Sequence, residues 1–235
     1  MRFKIVIPVY NAIRYIETCI NSLKSQEYQE FDVIIIDDCS TDGTWELLNK
    51  ICTYRKVRND TRIGSGLANI VKGIRLSDAS PEDVIVTLDG DDYLVFVNCL
   101  SHLKTFYNNN VWMTYGQYFP LSGIYRDFCR PVTDSFNYRK SGDWHTSHLR
   151  TFRRWLWDSI KDSDLRDNEG NYFKVAWDRA FMYPLIEMAG SHAFFIPKVM
   201  YMYNDLNPAS DMYLEPVYGE EMAQYIINKP CYNRL

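Results

Sequence analysis

Three short runs of branched apolar residues, separated by segments with helical periodicity, constrain the fold of this chain more than any other feature. The runs are FKIVIPV at 3–9, FDVIIIDD at 31–38 and DVIVTL at 83–88. Strands that are apolar throughout, rather than at alternate positions, are typical of parallel sheets covered by helices on both faces. The sequence therefore predicts an α/β, Rossmann-like fold with a mostly parallel central sheet flanked by helices.

The segments between these runs carry apolar residues at the spacing of one helical face. The positions are Ile13, Ile16, Ile20 and Leu23 in the first segment, Trp45, Leu48 and Ile51 in the second, and Leu67, Ile70, Val71 and Ile74 in the third. Each predicted strand is thus followed by a predicted helix, which is the alternation that a parallel sheet requires.

The second half of the chain is less regular. The predicted elements are strands at 111–119 and 192–204 and helices at 147–160 and 176–190. Pro184 should break or kink the last helix, because proline lacks the backbone N–H that a helix interior needs. The signals weaken near the C-terminus, so we assign residues 1–213 to one domain and 214–235 to a C-terminal extension, which could begin a linker.

Composition excludes some classes of partner. The chain has 235 residues, 46% of them hydrophobic, and a net charge of −4. That length suits one large domain with a packed core. The negative balance gives no general attraction to nucleic acid or to anionic membranes, so an anionic ligand would need a local cationic site.

No segment predicts a membrane span or a secretion signal. A span needs about 20 consecutive apolar residues, and the apolar run near the N-terminus is short and contains Pro8. The six cysteines show no close pairing, which predicts reduced thiols serving as small core residues. We therefore expect a cytoplasmic protein.

Polar motifs follow each of the three strong strands. PVYN comes after the first, DDCSTDGT after the second and DGDD after the third. Ligands of parallel α/β sheets bind beyond the carboxyl ends of the strands. We therefore expect the three motifs to meet in a single crevice.

The last motif places Asp89, Asp91 and Asp92 within four positions. An EF-hand calcium loop is excluded, because its sixth and twelfth positions would be Leu94 and Leu100. The cluster could be a solvated acidic turn, a phosphatase nucleophile in a D-x-D turn, or a site where Mg²⁺ or Mn²⁺ holds a diphosphate. Two unit charges 4 Å apart interact by about 4 kcal/mol at an effective dielectric of 20, so bare carboxylates would repel a diphosphate and a bridging dication would attract it.

Four motifs, in this order and spacing, resemble those of the family 2 glycosyltransferases of GT-A fold. They are IVIPVYN, VIIIDDCSTDGT, IGSGLANIVKGI and VTLDGDDYL. The resemblance is close over residues 3–95 and looser over 140–210. It implies a nucleoside diphosphate sugar as donor, with a UDP-sugar expected, a glycan or glycoconjugate hydroxyl as acceptor, Mn²⁺ or Mg²⁺ as cofactor and, most often, inversion at the transferred sugar.

The resemblance also assigns residues to the nucleotide. They are Pro8, Val9, Tyr10, Asn11, Asp37, Asp38, Gly64, Asn69 and Asp89. Asp38 is the expected base contact, because a carboxylate can accept the imide N–H of uracil, and Tyr10 could stack on the ring or supply backbone contacts. The arginine that the family carries before Asn69 is Ala68 here, and Arg62 is an alternative source of positive charge.

The same resemblance implies a metal site and a general base. The D-x-D motif falls on Asp89 and Asp91 as metal ligands, and Asp92 extends the cluster. An inverting transfer needs a base that deprotonates the acceptor hydroxyl, and the family places it at a helix start well after this motif. Asp178 occupies that position; its alternative role is to stabilise the helix dipole. Weaker alternatives for the base are Asp143, Asp158 and Asp164.

The segment WHTSHLRTFRRWLW contains further candidates. The pair His145 and His148 has the spacing of zinc ligands on a helix, but no cysteine or acidic residue stands at zinc-site spacing. The family often carries a similar segment beside the donor sugar and the acceptor. The resemblance therefore implies that His148 and Arg150 line the pocket and that Trp144 stacks on a sugar.

The segment YMYNDLNPASD resembles one that closes over the diphosphate in the family. Tyr203 and Ser210 are the residues that could donate hydrogen bonds to phosphate oxygens. A histidine that can bind metal is common where Asn204 stands, and asparagine is a poorer ligand.

Two other functions stay open. A nucleotidyltransferase that makes sugar nucleotides usually carries a glycine-rich, basic loop after its first strand, and PVYNAIRY is neither. A catalytically silent module that binds glycans or nucleotides would share the motifs without turnover.

Overall fold

The structure is a computed structural model that describes residues 1–124, 128–207 and 216–235. The first half alternates strands and helices. Its elements are β1 (Phe3–Val9), α1 (Ile16–Lys24), β2 (Phe31–Asp37), α2 (Thr44–Ile51), β3 (Arg55–Arg58), α3 (Gly66–Leu76), β4 (Val84–Thr87) and the short β5 (Tyr93–Leu94). The strands and helices predicted before residue 90 are thereby confirmed, except that Ile13, assigned to the face of the first helix, precedes α1 and is exposed.

The second half adds strands and a longer helix to this frame. Its elements are α4 (Cys99–Tyr107), β6 (Met113–Pro120), α5 (Tyr138–Ser141), β7 (Ser147–Arg153), α6 (Arg154–Asp158), α7 (Trp177–Ala189), β8 (Ala193–Tyr203) and α8 (Pro216–Ile227). Two 3₁₀ turns flank α7, at Asp162–Leu165 and Gly190–His192. Within the described ranges, no helix combines the length and the hydrophobicity that crossing a membrane requires.

The described strands form one eight-stranded sheet with the order β3-β2-β1-β4-β7-β6-β8-β5. Parallel pairing joins β3, β2, β1 and β4 and also joins β6 to β8, so four of the seven strand pairs are parallel. β7 runs antiparallel to both of its neighbours. The prediction of a mostly parallel sheet flanked by helices is confirmed.

Helices cover both faces of the sheet, and β1 shows why its strands are apolar throughout. Ile5 and Ile7 pack in the cluster that contains Ile20 of α1, whereas Val6 packs in the cluster that contains Ile70 of α3. All of these side chains have no exposed surface. Burying one such side chain stabilises the fold by about 1.5–3 kcal/mol, so both faces of β1 contribute to the core.

The predicted helix at 147–160 is wrong. Residues Ser147–Arg153 form β7, and only Arg154–Asp158 are helical. The strand lies between β4 and β6, where Oγ1 of Thr151 lies 2.6 Å from Oη of Tyr107 and 2.6 Å from Oγ1 of Thr114. Pairing with strands on both sides therefore overrides the weak helical periodicity of the segment.

The predicted helix at 176–190 is confirmed as α7, with Pro184 inside it. Every residue from Ala180 to Ala189 is buried. Tertiary packing therefore holds the helix together across the backbone hydrogen bond that proline removes.

The end of the chain packs on this domain. Ala223 and Ile226 of α8 are 1% exposed, and Ile226 joins the cluster that contains α7. Beyond α8, the buried ion pair between Arg139 and Glu187 holds the chain, with 2.7 Å between Nη2 and Oε2. Glu187 also accepts the backbone N–H of Tyr232 at 2.9 Å, so the last residues are anchored in the protein interior.

Candidate active site

The carboxyl ends of β1, β2 and β4 open into a cleft of about 600 Å³ that the start of α7 also borders. Of the residues predicted from the sequence, the cleft is lined by Pro8, Val9, Tyr10, Asp38, Gly64, Asn69, Asp89, Asp91, Asp92, Trp144, His148, Arg150, Asp178 and Tyr203. Asn11 and Asp37 are not among its lining residues, and Ser210 lies outside the described residues.

The end of β1 joins the two acidic loops of the cleft. The carbonyl of Val9 accepts the N–H of Asp38 at 2.8 Å, and the carbonyl of Pro8 accepts the N–H of Gly90 at 3.1 Å. A Cβ at Gly90 would lie 2.8 Å from side-chain atoms of Val9, which is closer than real carbon contacts. Glycine between the two aspartates therefore lets the acidic loop approach β1.

Asp38 organises the end of the cleft predicted to hold the nucleoside. Its Oδ1 accepts hydrogen bonds from Nδ2 of Asn59 at 2.7 Å and from the N–H of Ile63 at 2.8 Å, and its Oδ2 accepts the N–H of Gly64 at 2.8 Å. Gly64 has a φ of +70°, a conformation that glycine adopts without strain. Nδ2 of Asn59 also reaches Oδ1 of Asn69 at 2.8 Å. Asn59, which sequence reasoning missed, thus fixes two predicted residues.

Asp37 and Asn11 do not line the cleft but hold the loops around it together. Asp37 is completely buried, accepts the N–H of Ser40 at 3.2 Å and lies 3.3 Å from Nε of Arg58. Burial raises the pKa of the Asp37 carboxyl, against the hydrogen bond from Ser40. Oδ1 of Asn11 accepts the N–H of Thr41 at 2.8 Å. Both side chains connect loops rather than face the cleft.

Three turns bordering the cleft hold a non-glycine residue in the left-handed region. The φ angles are +48° at Asn11, +61° at Cys39 and +50° at Ala176. Such conformations cost about 1–3 kcal/mol each and persist only where the surroundings enforce them, often at ligand sites. The wall of the cleft is therefore held in shape before any ligand arrives.

Arg62 lies over the ring of Tyr10, with Cζ 4.0 Å from the ring centroid. Both residues line the cleft near Asp38 and Gly64. Arg62 therefore supplies a positive charge at the end of the cleft predicted to hold the nucleoside, even though Ala68 stands where the family carries arginine.

Asp92 is the most deeply held of the three clustered carboxylates. It is 1% exposed and accepts hydrogen bonds from Oη of Tyr201 at 2.6 Å and from the N–H of Asn204 at 2.7 Å. Burial raises its pKa well above the ordinary value, and the charges of Asp91 and Asp89 raise it further. Asp92 thus connects the acidic loop to the end of β8.

Asp91 and Asp89 face the cleft. Burial, together with repulsion by Asp89, raises the pKa of Asp91 to about 6, while a hydrogen bond of 2.7 Å from Nδ2 of Asn207 opposes the shift. Burial also raises the pKa of Asp89, and the nearby Arg150 opposes this. Both carboxyl groups therefore resist ionisation when no cation is bound. A dication beside them would stabilise their ionised forms.

The donor set fits a divalent cation such as Mn²⁺ or Mg²⁺. Ligand atoms of Asp89, Asp92 and His148 lie within 4.8 Å of one another. Asp92 already accepts two hydrogen bonds, however, and Nε2 of His148 accepts one from Arg150. Carboxylate oxygens are the ligands that both ions prefer. The predicted ligand Asp89 belongs to this group, whereas Asp91, the other predicted ligand, lines the cleft but is not part of the group.

Arg150 connects two cleft residues from a buried position on β7. It is 4% exposed; Nη1 donates to Nε2 of His148 at 2.5 Å, and Nη2 donates to Oδ2 of Asp178 at 2.8 Å. Because arginine has only donors, His148 is neutral with its proton on Nδ1, 3.2 Å from Oγ of Ser147. Burial and the charge of Arg150 accordingly lower the pKa of His148 well below its usual value.

Asp178 lies in the first turn of α7 and is reached from the cleft. Its side chain is 21% exposed, and its Oδ1 accepts the N–H of Arg179 at 2.9 Å. With Arg150 on Oδ2, the carboxylate is fixed in orientation and still open to a ligand. The alternatives Asp143 and Asp158 are not lining residues of the cleft; they pair with Arg130 and Arg154.

Trp144 and Tyr203 complete the far side of the cleft. The Trp144 ring stacks on Tyr138 at 6.3 Å, and Cζ of Arg179 lies over it at 5.4 Å from the centroid. A sugar would therefore compete with Arg179 for the ring face. Tyr203 stacks on the ring of His148 at 5.7 Å.

A mostly parallel sheet with acidic loops at its strand ends and an aspartate at the start of a later helix is the arrangement expected of a GT-A domain. The chain matches the model of Glycosyl transferase family 2 over residues 4–160. It therefore belongs to that family, and the assignment made from the four motifs is confirmed.

Two relatives illustrate the sequence similarity. The poly(ribitol-phosphate) β-N-acetylglucosaminyltransferase TarS of Staphylococcus aureus is 35% identical over 100 residues, which are 40% of this chain and 17% of TarS. The UDP-Glc:α-D-GlcNAc-diphosphoundecaprenol β-1,3-glucosyltransferase WfaP of Escherichia coli is 32% identical over 124 residues, 53% of this chain and 47% of WfaP. The matched segments thus span less than half of either relative.

Solved structures show the same fold. Residues 1–349 of S. aureus TarS in complex with UDP-GlcNAc align with a TM-score of 0.70 and 21% identity, over 96% of this chain and 65% of that one. The mannosyltransferase PcManGT of Pyrobaculum calidifontis, in complex with GDP-Man and Mn²⁺, aligns with a TM-score of 0.63 and 18% identity, over 98% of this chain and 66% of that one. At these identities the likeness concerns the fold, and it confirms the GT-A architecture.

Proposed function

We propose that this chain transfers a sugar from a nucleoside diphosphate sugar to a hydroxyl group of a glycan or glycoconjugate, with inversion and with a divalent cation as cofactor. The observation that carries the proposal is the meeting of Asp38, the pair Asp89 and Asp91, and Asp178 in one cleft. A UDP-sugar is the proposed donor. Family membership supports this choice, as do relatives named for UDP-Glc or solved with UDP-GlcNAc.

The nucleoside is proposed to lie against the ends of β1 and β2. Asp38 is fixed there by three hydrogen bonds and keeps acceptor capacity for a base N–H, because an ionised carboxylate offers about four lone-pair sites. Tyr10 and Arg62 form the adjacent wall. This arrangement selects for a base that presents a donor, as uracil does.

The diphosphate is proposed to lie over Asp89 and Asp91, which would hold Mn²⁺ or Mg²⁺. When bound, the cation would stabilise the negative charge of the departing diphosphate as a Lewis acid. The guanidinium of Arg150 adds positive charge near Asp89. The negative charge of the diphosphate would thus be stabilised by the cation and by Arg150.

Asp178 is the proposed general base. As the acceptor hydroxyl oxygen bonds to the anomeric carbon, its proton passes to the Asp178 carboxylate and the bond from that carbon to the diphosphate oxygen breaks. Arg150 and the N–H of Arg179 hold the carboxylate so that its orientation is set before the acceptor binds. Such positioning is what general-base catalysis demands.

The test compares three aspartate-to-asparagine variants in an assay of sugar transfer and UDP release with Mn²⁺. Asp178→Asn should lower transfer about 10²–10⁴-fold while UDP still binds. Asp91→Asn should weaken Mn²⁺-dependent UDP binding. Asp158→Asn is the matched control, because Asp158 pairs with Arg154 on the surface and should leave both properties unchanged.

Transfer by Asp178→Asn at the parent rate would remove this residue as the base. Release of pyrophosphate from a nucleoside triphosphate and a sugar phosphate would instead identify a nucleotidyltransferase. Tight UDP binding without turnover, across a broad acceptor panel, would identify a binding module.

A further inference from the structure

Arg179 presents a positive charge to the cleft, and no acidic side chain of the described residues forms an ion pair with it. It follows Asp178 in the first turn of α7, lines the cleft and is half-buried. Among the described residues, no carboxylate oxygen lies within the 4.0 Å ion-pair distance of its guanidinium. Arg150, by contrast, is paired with Asp178 at 2.8 Å. Of these two arginines, Arg150 thus forms an ion pair within the protein, whereas Arg179 forms none among the described residues.

The position of this guanidinium is set by aromatic rings. Its Cζ lies over the Trp144 ring at 5.4 Å from the centroid. Trp144 in turn contacts Tyr183 edge-on at 5.3 Å and stacks on Tyr138. A cation–π contact contributes about 0.5–2 kcal/mol, but a ring has no net charge, so Arg179 is held in place and remains able to attract an anion.

Arg179 follows the proposed base, Asp178, in the chain and lines the same cleft. The nucleoside end lies at Asp38 and Tyr10, and the proposed diphosphate site at Asp89 and Asp91 has Arg150 as its neighbouring cation. Arg179 instead adjoins the proposed base in the chain and lies over the Trp144 ring. Because the acceptor hydroxyl must approach the proposed base, the charge of the neighbouring Arg179 can serve the acceptor.

We propose that the acceptor is anionic and that Arg179 binds its phosphate or carboxylate group, near the hydroxyl that receives the sugar. This inference rests on the proposed glycosyl transfer. The planar guanidinium presents N–H groups in a fork that matches the oxygens of either anion. Arg179 would therefore act as a specificity residue that selects charged sugar or polyol units over neutral ones.

The test measures the affinity of three ligands that share one ring: glucose 6-phosphate, glucuronate and glucose. Dissociation constants are determined by saturation-transfer NMR with UDP and Mg²⁺ present. The parent protein should bind at least one anionic ligand roughly 10- to 100-fold more tightly than glucose, as expected for a hydrogen bond to a charged group. Preference for glucose 6-phosphate would identify a phosphate acceptor, and preference for glucuronate a carboxylate acceptor.

Variants then assign the preference to the residue. Arg179→Gln should abolish it, and Arg179→Lys should retain part of it, because lysine keeps the charge but loses the fork. Arg75→Gln is the control; Arg75 is exposed, pairs with Asp162 and should leave the preference intact. Persistence of the full preference in Arg179→Gln, or equal affinities in the parent, would refute the inference.

A third result would also refute it. If Arg179→Gln weakened UDP binding and left the ligand preference unchanged, Arg179 would serve the donor. UDP affinity of the parent, measured in the same samples, tests the proposed function separately: a parent that does not bind UDP loses the glycosyl-transfer proposal, while the three-ligand comparison without UDP still decides whether Arg179 selects anions.

Discussion

Adjacent aspartates in the acidic loop have different surroundings and therefore different uses. Asp92 is turned inward, where Tyr201 and Asn204 satisfy its oxygens. Asp91 faces the cleft with Asn207 as its hydrogen-bond donor, and its pKa is about 6. At the scale of single residues, Asp92 therefore holds the loop to β8, whereas the Asp91 carboxylate, with fewer compensating contacts, remains available to a ligand.

Asp91 gives the metal-free protein a predictable pH dependence. Its pKa rises from 3.8 to about 6 on folding, so between these values the native state retains a proton that the unfolded state has lost. The free energy of unfolding contributed by this group is therefore fully present below about pH 4 and is lost as the pH rises through about 6, with an upper limit of about 3 kcal/mol.

Urea unfolding in EDTA between pH 4.5 and 6.5 measures this effect. Asp91→Asn should show a smaller loss of stability with rising pH than the parent, because the variant cannot ionise at this position. Burial shifts Asp89 and Asp92 in the same direction, so part of the trend should persist. Identical pH dependence in the parent and the variant would show that Asp91 ionises normally.

At the scale of elements, the sequence predicts the strands and helices whose formation depends on residues close together in the chain. The strands up to β4 follow from apolar runs, and the placement of Asp38 and Asp89 follows from the strand ends that precede them. β7 was mistaken for a helix because its strand character comes from pairing with β4 and β6, which lie far away in the chain.

The same limit applies to the site. The Tyr201–Asp92 hydrogen bond spans 109 positions and the Asn207–Asp91 bond spans 116. No pattern near either residue signals these contacts. Asn59 directly follows β3, a strand that the sequence analysis does not predict, so its role becomes visible only when the strands are side by side.

The buried pair between α5 and α7 should stabilise the end of the chain. Arg139 and Glu187 are 1% and 2% exposed in their side chains. Arg139→Met leaves the Glu187 carboxylate buried without its cation, which should cost about 3–5 kcal/mol. The double variant Arg139→Met/Glu187→Met should recover part of that loss, because no unpaired charge remains.

Chemical denaturation monitored by tryptophan fluorescence gives these values. Arg130→Met is the matched control: Arg130 pairs with Asp143 on the surface, where side-chain exposures are 54% and 55%, and it should change stability by less than about 1 kcal/mol. A cost for Arg139→Met no greater than that of the control would argue against the importance of the buried pair.

At the scale of the whole molecule, one cleft draws on both halves of the sheet. The ends of β1, β2 and β4 border the side proposed to bind the nucleotide, while β7, β8 and α7 supply Arg150, Tyr203 and Asp178. A ligand that fills the cleft therefore connects parts of the chain that are distant in sequence, and its binding energy should resist unfolding of the entire domain.

Thermal unfolding with nucleotides tests this coupling and ranks the donors. A ligand at 100 times its dissociation constant adds about 2.7 kcal/mol, which should raise Tm by roughly 5–10 °C for a domain of this size. UDP with Mn²⁺ should exceed GDP, CDP and ADP with Mn²⁺, and EDTA should remove most of the shift. Equal shifts for all four nucleotides, or a shift that EDTA leaves untouched, would contradict base recognition at Asp38 or cation binding at Asp91.

Arg150 and Phe152 stand two positions apart on β7 and face α7 together. Arg150 reaches Asp178 at 2.8 Å, and the Phe152 ring lies 5.9 Å from that of Phe181 on the same helix. One strand thus positions both the proposed base and the hydrophobic core beside it. A substitution that changes the volume of the core beneath Phe152 should therefore shift β7 and, with it, the orientation of Asp178.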